Sequence, residues 1–269
     1  MSTPPDALPP LTSLPSGPPD LRDRVALVTG AARGIGRAIA EALAAVGATA
    51  VILDTMAADE AVAAIQAAGG QALSLTGSVA ARADVERAIR EIVSRHGRLD
   101  VLVNNAGIVE RSSLEELDDE TWQREIDVIL KGTYLCTQAA YPVLQRQGGG
   151  KIVMISSISG KLGGALSSRI GVPRARSGPA YAAAKGGVIS FTKWVAKDGG
   201  GHGIHCNCIC PGPVESEMTR GYEYNVAAVP LGRMGSTRDV AQAAVFLGSQ
   251  QSNFITGQTL NVDGGLLMD

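Results

Sequence analysis

The segment RVALVTGAARGIGRAIAEALAAVGATAVILD, residues 24–54, holds a strand, a glycine-rich turn, a helix and a second strand in succession. Val25, Ala26, Leu27 and Val28 form a short apolar run that stops at Thr29 and Gly30. Ile35, Ala38, Ile39, Ala42, Leu43 and Val46 then recur at the spacing of one helical face. Gly47 ends the helix, since glycine takes a left-handed position after a helix without steric cost. A second apolar run from Thr49 to Asp54 follows. Runs without polar alternation suit strands buried on both faces, and a strand–helix–strand step lays its two strands parallel.

Outward from this unit the alternation repeats. The periodicity predicts helices near Asp59–Ala68 and Asp84–Arg95, within Asp118–Gln145, from about Ala180, and around Arg238–Leu247. Strands are expected at Ala72–Leu75, Leu99–Val103, Ile152–Ile155, Ile204–Ile209 and Thr259–Val262. The fold class is therefore α/β, a doubly wound Rossmann-like parallel sheet. No shift in composition divides the chain, so one domain is expected over residues 22–269.

The 269 residues are 45% hydrophobic and 19% charged, enough to bury a large core. A net charge of −2 provides no basic field for a nucleic-acid backbone, which argues against nucleic-acid partners. No apolar run approaches the roughly 20 residues of a membrane-spanning helix. Four cysteines in a chain this long do not make a disulfide framework. Cys206, Cys208 and Cys210 alternate along one strand without the paired spacing of a zinc site, so buried small residues are expected and no metal. Residues 1–21 differ: seven of the 13 prolines lie between Pro4 and Pro19, with no basic residue before Arg22 and no apolar stretch. That composition predicts a disordered, Pro-rich tail rather than a targeting signal, and a cytoplasmic protein.

The turn between the first strand and helix is where a dinucleotide's pyrophosphate would be held. Gly30 permits a sharp exit from the strand, Gly34 lets the backbone approach the phosphates, and Gly36 allows helix and strand to pack closely; Arg33 and Ile35 complete the turn. The helix N-terminus supplies unpaired N–H groups and partial positive charge. Asp54 ends the second strand 18 residues after Gly36, where a carboxylate can accept bonds from the adenine-ribose 2′-hydroxyl. At ~4 Å and an effective ε of ~20 it would repel each unit of charge on a 2′-phosphate by about 4 kcal/mol. Arg33 could offset part of this, but the expectation is NAD, with NADP less favoured.

Tyr181 and Lys185 stand at i and i+4 at the start of the helix after a long loop, so they share a helical face. A phenol with pKa ~10 is a poor base at neutral pH. A cation ~5 Å away at ε ~20 would favour the phenolate by about 3 kcal/mol, roughly 2 pH units. The pair thus predicts an acidified phenol that exchanges a proton with an alcohol or carbonyl oxygen. A surface pair would show the same spacing, so this motif gains weight only from the others.

Those others are present in order: TGAARGIG at 29–36, NNAG at 104–107, ISS at 155–157, YAAAK at 181–185 and PGPV at 211–214. On these motifs the chain resembles the short-chain dehydrogenase/reductase family from about Leu21 to its end. The resemblance implies a seven-stranded sheet with Ser157, Tyr181 and Lys185 as the reacting set. Ser157 would hold the substrate oxygen, Tyr181 would pass the proton, and Lys185 would also bind the nicotinamide ribose. Asn105, Ser78 and Val79 would border the adenosine, and Val214 and Ser216 the carboxamide. The implied reaction moves a hydride between NAD(H) and a secondary alcohol or ketone in a small-molecule substrate, with an anionic or polyol-like substrate among the expectations. A homotetramer packed through the helices of 118–145 and 180–198 is implied too. The alternative is a catalytically weakened dinucleotide-binding sensor or partner subunit, marked by Ile129, which replaces the family's usual asparagine. Ser78 replaces a common aspartate, and the segment from Ser157 to Tyr181 is long. Arg169, Arg174 and Arg176 in that segment, and Tyr222 in the short stretch from Ser216 to Gly235, are candidates for gripping an anionic substrate.

Overall fold

A computed structural model of the chain describes residues 17–164, 177–222 and 224–268. Seven strands, β1 (Val25–Thr29), β2 (Thr49–Asp54), β3 (Gln71–Thr76), β4 (Val101–Asn104), β5 (Gly150–Ile155), β6 (Ile204–Pro211) and β7 (Thr259–Val262), form one sheet in the order β3-β2-β1-β4-β5-β6-β7. Every pairing is parallel. The helices are α1 (Gly34–Ala45), α2 (Asp59–Ala67), α3 (Arg82–His96), α4 (Asp119–Ile126), α5 (Gly132–Arg146), α6 (Ser159–Leu162), α7 (Pro179–Gly199) and α8 (Thr237–Gly248). Successive side chains of β1 feed opposite cores: Val25 and Leu27 join Ile89, Leu144 and Val188, while Ala26 and Val28 join Ile39, Leu43 and Val240. This is why the strand sequence shows no polar alternation.

The chain departs from its periodicity at the expected long helix. That helix is α4 and α5 joined by a π-helical turn, Asp127–Lys131. Thr133 Oγ1 donates to the Ile129 carbonyl at 2.6 Å, and a Cβ on Gly132 would lie 2.8 Å from Val79 Cγ2. The insertion therefore sits where α5 presses most closely on the loop after β3, a contact that no local spacing records. Helix α7 ends at Gly199 and passes into a 3₁₀ turn, Gly200–His202. Cys206, Cys208 and Cys210 are all buried in the core on the α7 side of the sheet. Among the described residues no helix is long and apolar enough to cross a membrane.

Strand order reverses between β1 and β4. In an open parallel sheet the crevice at the C-terminal strand ends beside such a reversal is the place for a ligand.

Candidate active site

The reversal is braced by β1 and the loop after β4. Thr29 Oγ1 accepts from the backbone N–H groups of Asn105 (3.0 Å) and Ala106 (3.1 Å). The Asn105 amide donates to the carbonyls of Thr29 (2.9 Å) and Gly30 (2.8 Å). The Asn105 amide thereby holds the glycine-rich turn in place. Gly36 completes this crowding, because a Cβ there would lie 2.3 Å from the Gly30 carbonyl oxygen and 2.5 Å from the Asn105 amide nitrogen.

The turn fits a pyrophosphate. Gly34 has φ +61°, and the nearest atom to a Cβ built on it is Glu217 Oε2 at 3.4 Å, so the backbone is approachable. No side chain caps the N-terminus of α1, which leaves its first N–H groups for an anion. Ile35 is partly buried against the α1 side of the sheet, and Arg33 is exposed beside the turn. Asp54 accepts from the backbone N–H of Ala32 through one oxygen and of Met56 through the other, both at 3.0 Å. The carboxylate is thus fixed at the mouth of the turn. Arg37 is occupied by Glu41 (2.8 Å) and Glu60 (3.7 Å).

Ser78 and Val79 lie just past β3. The Ser78 backbone N–H donates to Asp84 and its hydroxyl accepts from Ala80, while Val79 is buried. Val214 is buried beyond β6, and its carbonyl accepts from Thr219 Oγ1 at 2.7 Å; the Ser216 N–H donates to the same hydroxyl at 3.0 Å. Ser78 and Ser216 thus use their backbone N–H groups within their own loops.

At the reacting end, α7 begins with Pro179 in its first turn, which presets the helix entry. Tyr181 and Lys185 lie one turn apart on its buried face, with Lys185 Nζ 5.6 Å from the Tyr181 ring centroid. Ser157, just past β5, lines the same cleft as Tyr181, and its hydroxyl favours the ionised phenol. Lys185 Nζ donates to the Ile155 carbonyl at 2.7 Å, which commits one of its three donors. A Cβ on Gly107 would lie 3.6 Å from Lys185 Nζ and 3.8 Å from Ile129 Cγ1, so the glycine keeps the space beside the ammonium open. Ile129 is buried and offers the ammonium no polar atom.

The expected acidification of the phenol is corrected by this environment. Burial pushes Tyr181 up to about 12, against the lowering effect of the Ser157 hydroxyl, and the charge of Glu125 raises it further. Burial also lowers Lys185 to about 8. The i, i+4 spacing supplies a cation, but burial desolvates both partners, and desolvation wins.

Sequence reasoning missed two residues. Glu125, on the inner face of α4, is buried; burial raises its pKa, and it accepts from the Glu110 N–H at 2.7 Å. Arg111, in the loop after β4, lines a cleft of about 100 Å³ together with Ser157, Ser159, Tyr181 and Tyr224. Its guanidinium lies 3.8 Å over the Tyr222 ring, which places Tyr222 beside the cleft. A buried acid facing the core of an otherwise amphipathic helix was a legible signal for Glu125. Nothing local separates Arg111 from a solvated loop arginine. Arg169, Arg174 and Arg176 lie outside the described residues. The stretch from Ser216 to Gly235 holds turns and one 3₁₀ turn, Val226–Ala228, with no α-helix among its described residues.

Known proteins carry the same architecture. A family model described as enoyl-(acyl carrier protein) reductase matches residues 30–267. A 3-oxoacyl-(acyl-carrier-protein) reductase of Synechocystis sp. is 40% identical over 254 residues, which cover 92% of this chain and 98% of the relative. The corresponding reductase FabG of Escherichia coli is 36% identical over 253 residues, covering 91% and 98%. A crystal structure from Agrobacterium tumefaciens, described as a 2-deoxy-D-gluconate 3-dehydrogenase with bound NADP, superposes with a TM-score of 0.80 at 36% identity, covering 92% of this chain and 97% of that one. Fold, site and relatives together define an oxidoreductase that works with a nicotinamide dinucleotide. The chain belongs to the short-chain dehydrogenase/reductase family.

Proposed function

We propose that the protein interconverts a secondary alcohol and a ketone with NAD(H), through Ser157, Tyr181 and Lys185. The observation that carries this reading is that Ser157 and Tyr181 line one cleft, with the Lys185 ammonium one helical turn behind the phenol, 5.6 Å from its ring centroid. When bound, the dinucleotide supplies or takes up the hydride at its nicotinamide ring. The protein's part is to hold and protonate. The Ser157 hydroxyl orients the substrate oxygen, and the Tyr181 oxygen exchanges the proton with it. The two donors of Lys185 not bonded to Ile155 are available to ribose hydroxyls. In the oxidative direction the substrate carbon would give up its hydrogen with the C–H electron pair to the bound dinucleotide, and the O–H proton would pass to the Tyr181 oxygen. At neutral pH a phenol pushed up to about 12 carries its proton, the form that donates to a ketone oxygen.

The fixed Asp54 carboxylate supports NAD as the preferred form. The counter-argument is the exposed Arg33 and the NADP bound in the Agrobacterium relative. Assembly through the outer faces of α5 and α7 is supported by exposed Tyr134 and Trp194 on those helices. Light scattering behind gel filtration tests it, and a monomer refutes it. The central experiment is Tyr181→Phe assayed on a panel of ketones and secondary alcohols with both dinucleotides. Turnover should fall by at least a thousandfold while dinucleotide affinity, read by NADH fluorescence, stays within threefold. Parent-level turnover by the Phe variant refutes the mechanism, and a parent protein that binds NADH but turns over nothing on the panel favours the sensor reading.

A further inference from the structure

Among the described residues, Arg111 holds a charge with no counter-ion in the cleft that contains Ser157 and Tyr181. Two features fix its guanidinium. Its face lies over the Tyr222 ring at 3.8 Å, and Nη2 donates to the Met218 carbonyl at 3.0 Å and to the Tyr224 hydroxyl at 3.4 Å. The other terminal nitrogen, Nη1, is buried and meets no hydrogen-bond partner among the described residues. Among the described residues no carboxylate forms an ion pair with Arg111: Glu110 pairs with Arg124 at 2.5 Å, and Glu125 accepts from the Glu110 backbone through Oε1. Burying a charged donor without a partner is costly, so such a group signals a partner that arrives with the ligand. The planar fork of an arginine matches a carboxylate, and the stacked tyrosine holds the plane in one orientation.

We propose that Arg111 is a specificity residue that receives a carboxylate of the substrate, making the physiological substrate an oxo acid or hydroxy acid whose reacting oxygen lies between Ser157 and Tyr181. This rests on the dehydrogenase reading above and narrows it to one substrate class. The cleft of about 100 Å³ that Arg111 shares with Ser157 and Tyr181 favours a compact acid whose carboxylate lies close to the reacting carbon. Arg111 also bridges Met218 and Tyr224 in the segment after β6, so an anion seated on it would contact the same group that ties down that segment.

A brace without a ligand would use the same Nη2 contacts, so the test must separate binding from bracing. Three carboxylates and their neutral counterparts serve as probes: acetoacetate against ethyl acetoacetate, D-gluconate against D-sorbitol, and glutarate against glutaramide. Each is titrated calorimetrically into the NADH- or NAD⁺-loaded protein. In the parent at least one acid should bind tighter than its neutral counterpart. Arg111→Met should lower that acid-over-neutral ratio ten- to a hundredfold, and Arg111→Lys should restore part of it by returning the charge without the fork. The proposal is overturned if no acid is preferred by the parent, or if Arg111→Met weakens acid and neutral probes equally, which is the signature of a brace. Failure of the parent to bind either dinucleotide strikes the dehydrogenase reading instead, and the separate titration of NADH shows which of the two has failed.

Discussion

Replacing Lys185 with methionine should stabilise the protein while removing its activity. The ammonium is buried, and burial lowers its pKa from 10.5 to about 8. At about 1.4 kcal/mol per pH unit, keeping that proton in the folded state at pH 7 costs about 3 kcal/mol relative to the unfolded chain. Methionine removes this cost and fills a similar volume. It also takes away the 2.7 Å bond to the Ile155 carbonyl, a loss of about 1–2 kcal/mol. The net expectation is a gain of about 1–2 kcal/mol, or roughly 3–6 °C in melting midpoint for a chain of this size. The pH dependence carries the sign. The folded pKa lies below the unfolded value, so under pH 8 both states hold the proton and the parent bears the whole cost. Between pH 8 and 10.5 the folded parent releases the proton while the unfolded chain keeps it, and parent stability rises. The advantage of Lys185→Met should therefore shrink to about zero near pH 9.5. Melting curves of both proteins at pH 7 and pH 9.5, at matched protomer concentration and without added nucleotide, measure it. A variant that melts below the parent at pH 7, or an advantage that does not change with pH, refutes the reasoning.

Two further outcomes follow from the same site. Because burial holds Tyr181 near 12, kcat for alcohol oxidation should rise about tenfold per pH unit from pH 6 to 8, whereas ketone reduction should stay level over that range. Stopped-flow or steady-state profiles at saturating substrate show this, and a flat oxidation profile contradicts it. Asp54→Ser should raise the kcat/KM ratio of NADP⁺ over NAD⁺ by tenfold or more. Repulsion of a 2′-phosphate is about 4 kcal/mol per unit charge at ε ~20 and about 1 at the dielectric of water, and both bounds give that order or larger. An unchanged ratio would show that the carboxylate serves only the backbone groups of Ala32 and Met56.

The sequence by itself determined those features that a few neighbouring residues encode. Apolar runs without alternation specified strands buried on both faces, and the glycines of 30–36 specified a turn that only they can make. Their crowding is plain in the structure, where a Cβ on Gly36 would lie 2.3 Å from the Gly30 oxygen. The spacing of Tyr181 and Lys185 likewise guaranteed a shared helical face. Tertiary structure decided what depends on segments distant in the chain. Desolvation sums over every element packed on a group, so the sign of the Tyr181 shift could not be read from the lysine four residues away. The amide of Asn105 turned to β1 because the sheet reverses there, and Arg111 became a cleft residue only when Met218, Tyr222 and Tyr224 were brought to it across more than a hundred residues of chain. Periodicity reports which face of an element is covered; what covers it, and what charge survives beneath, is set by the assembled fold.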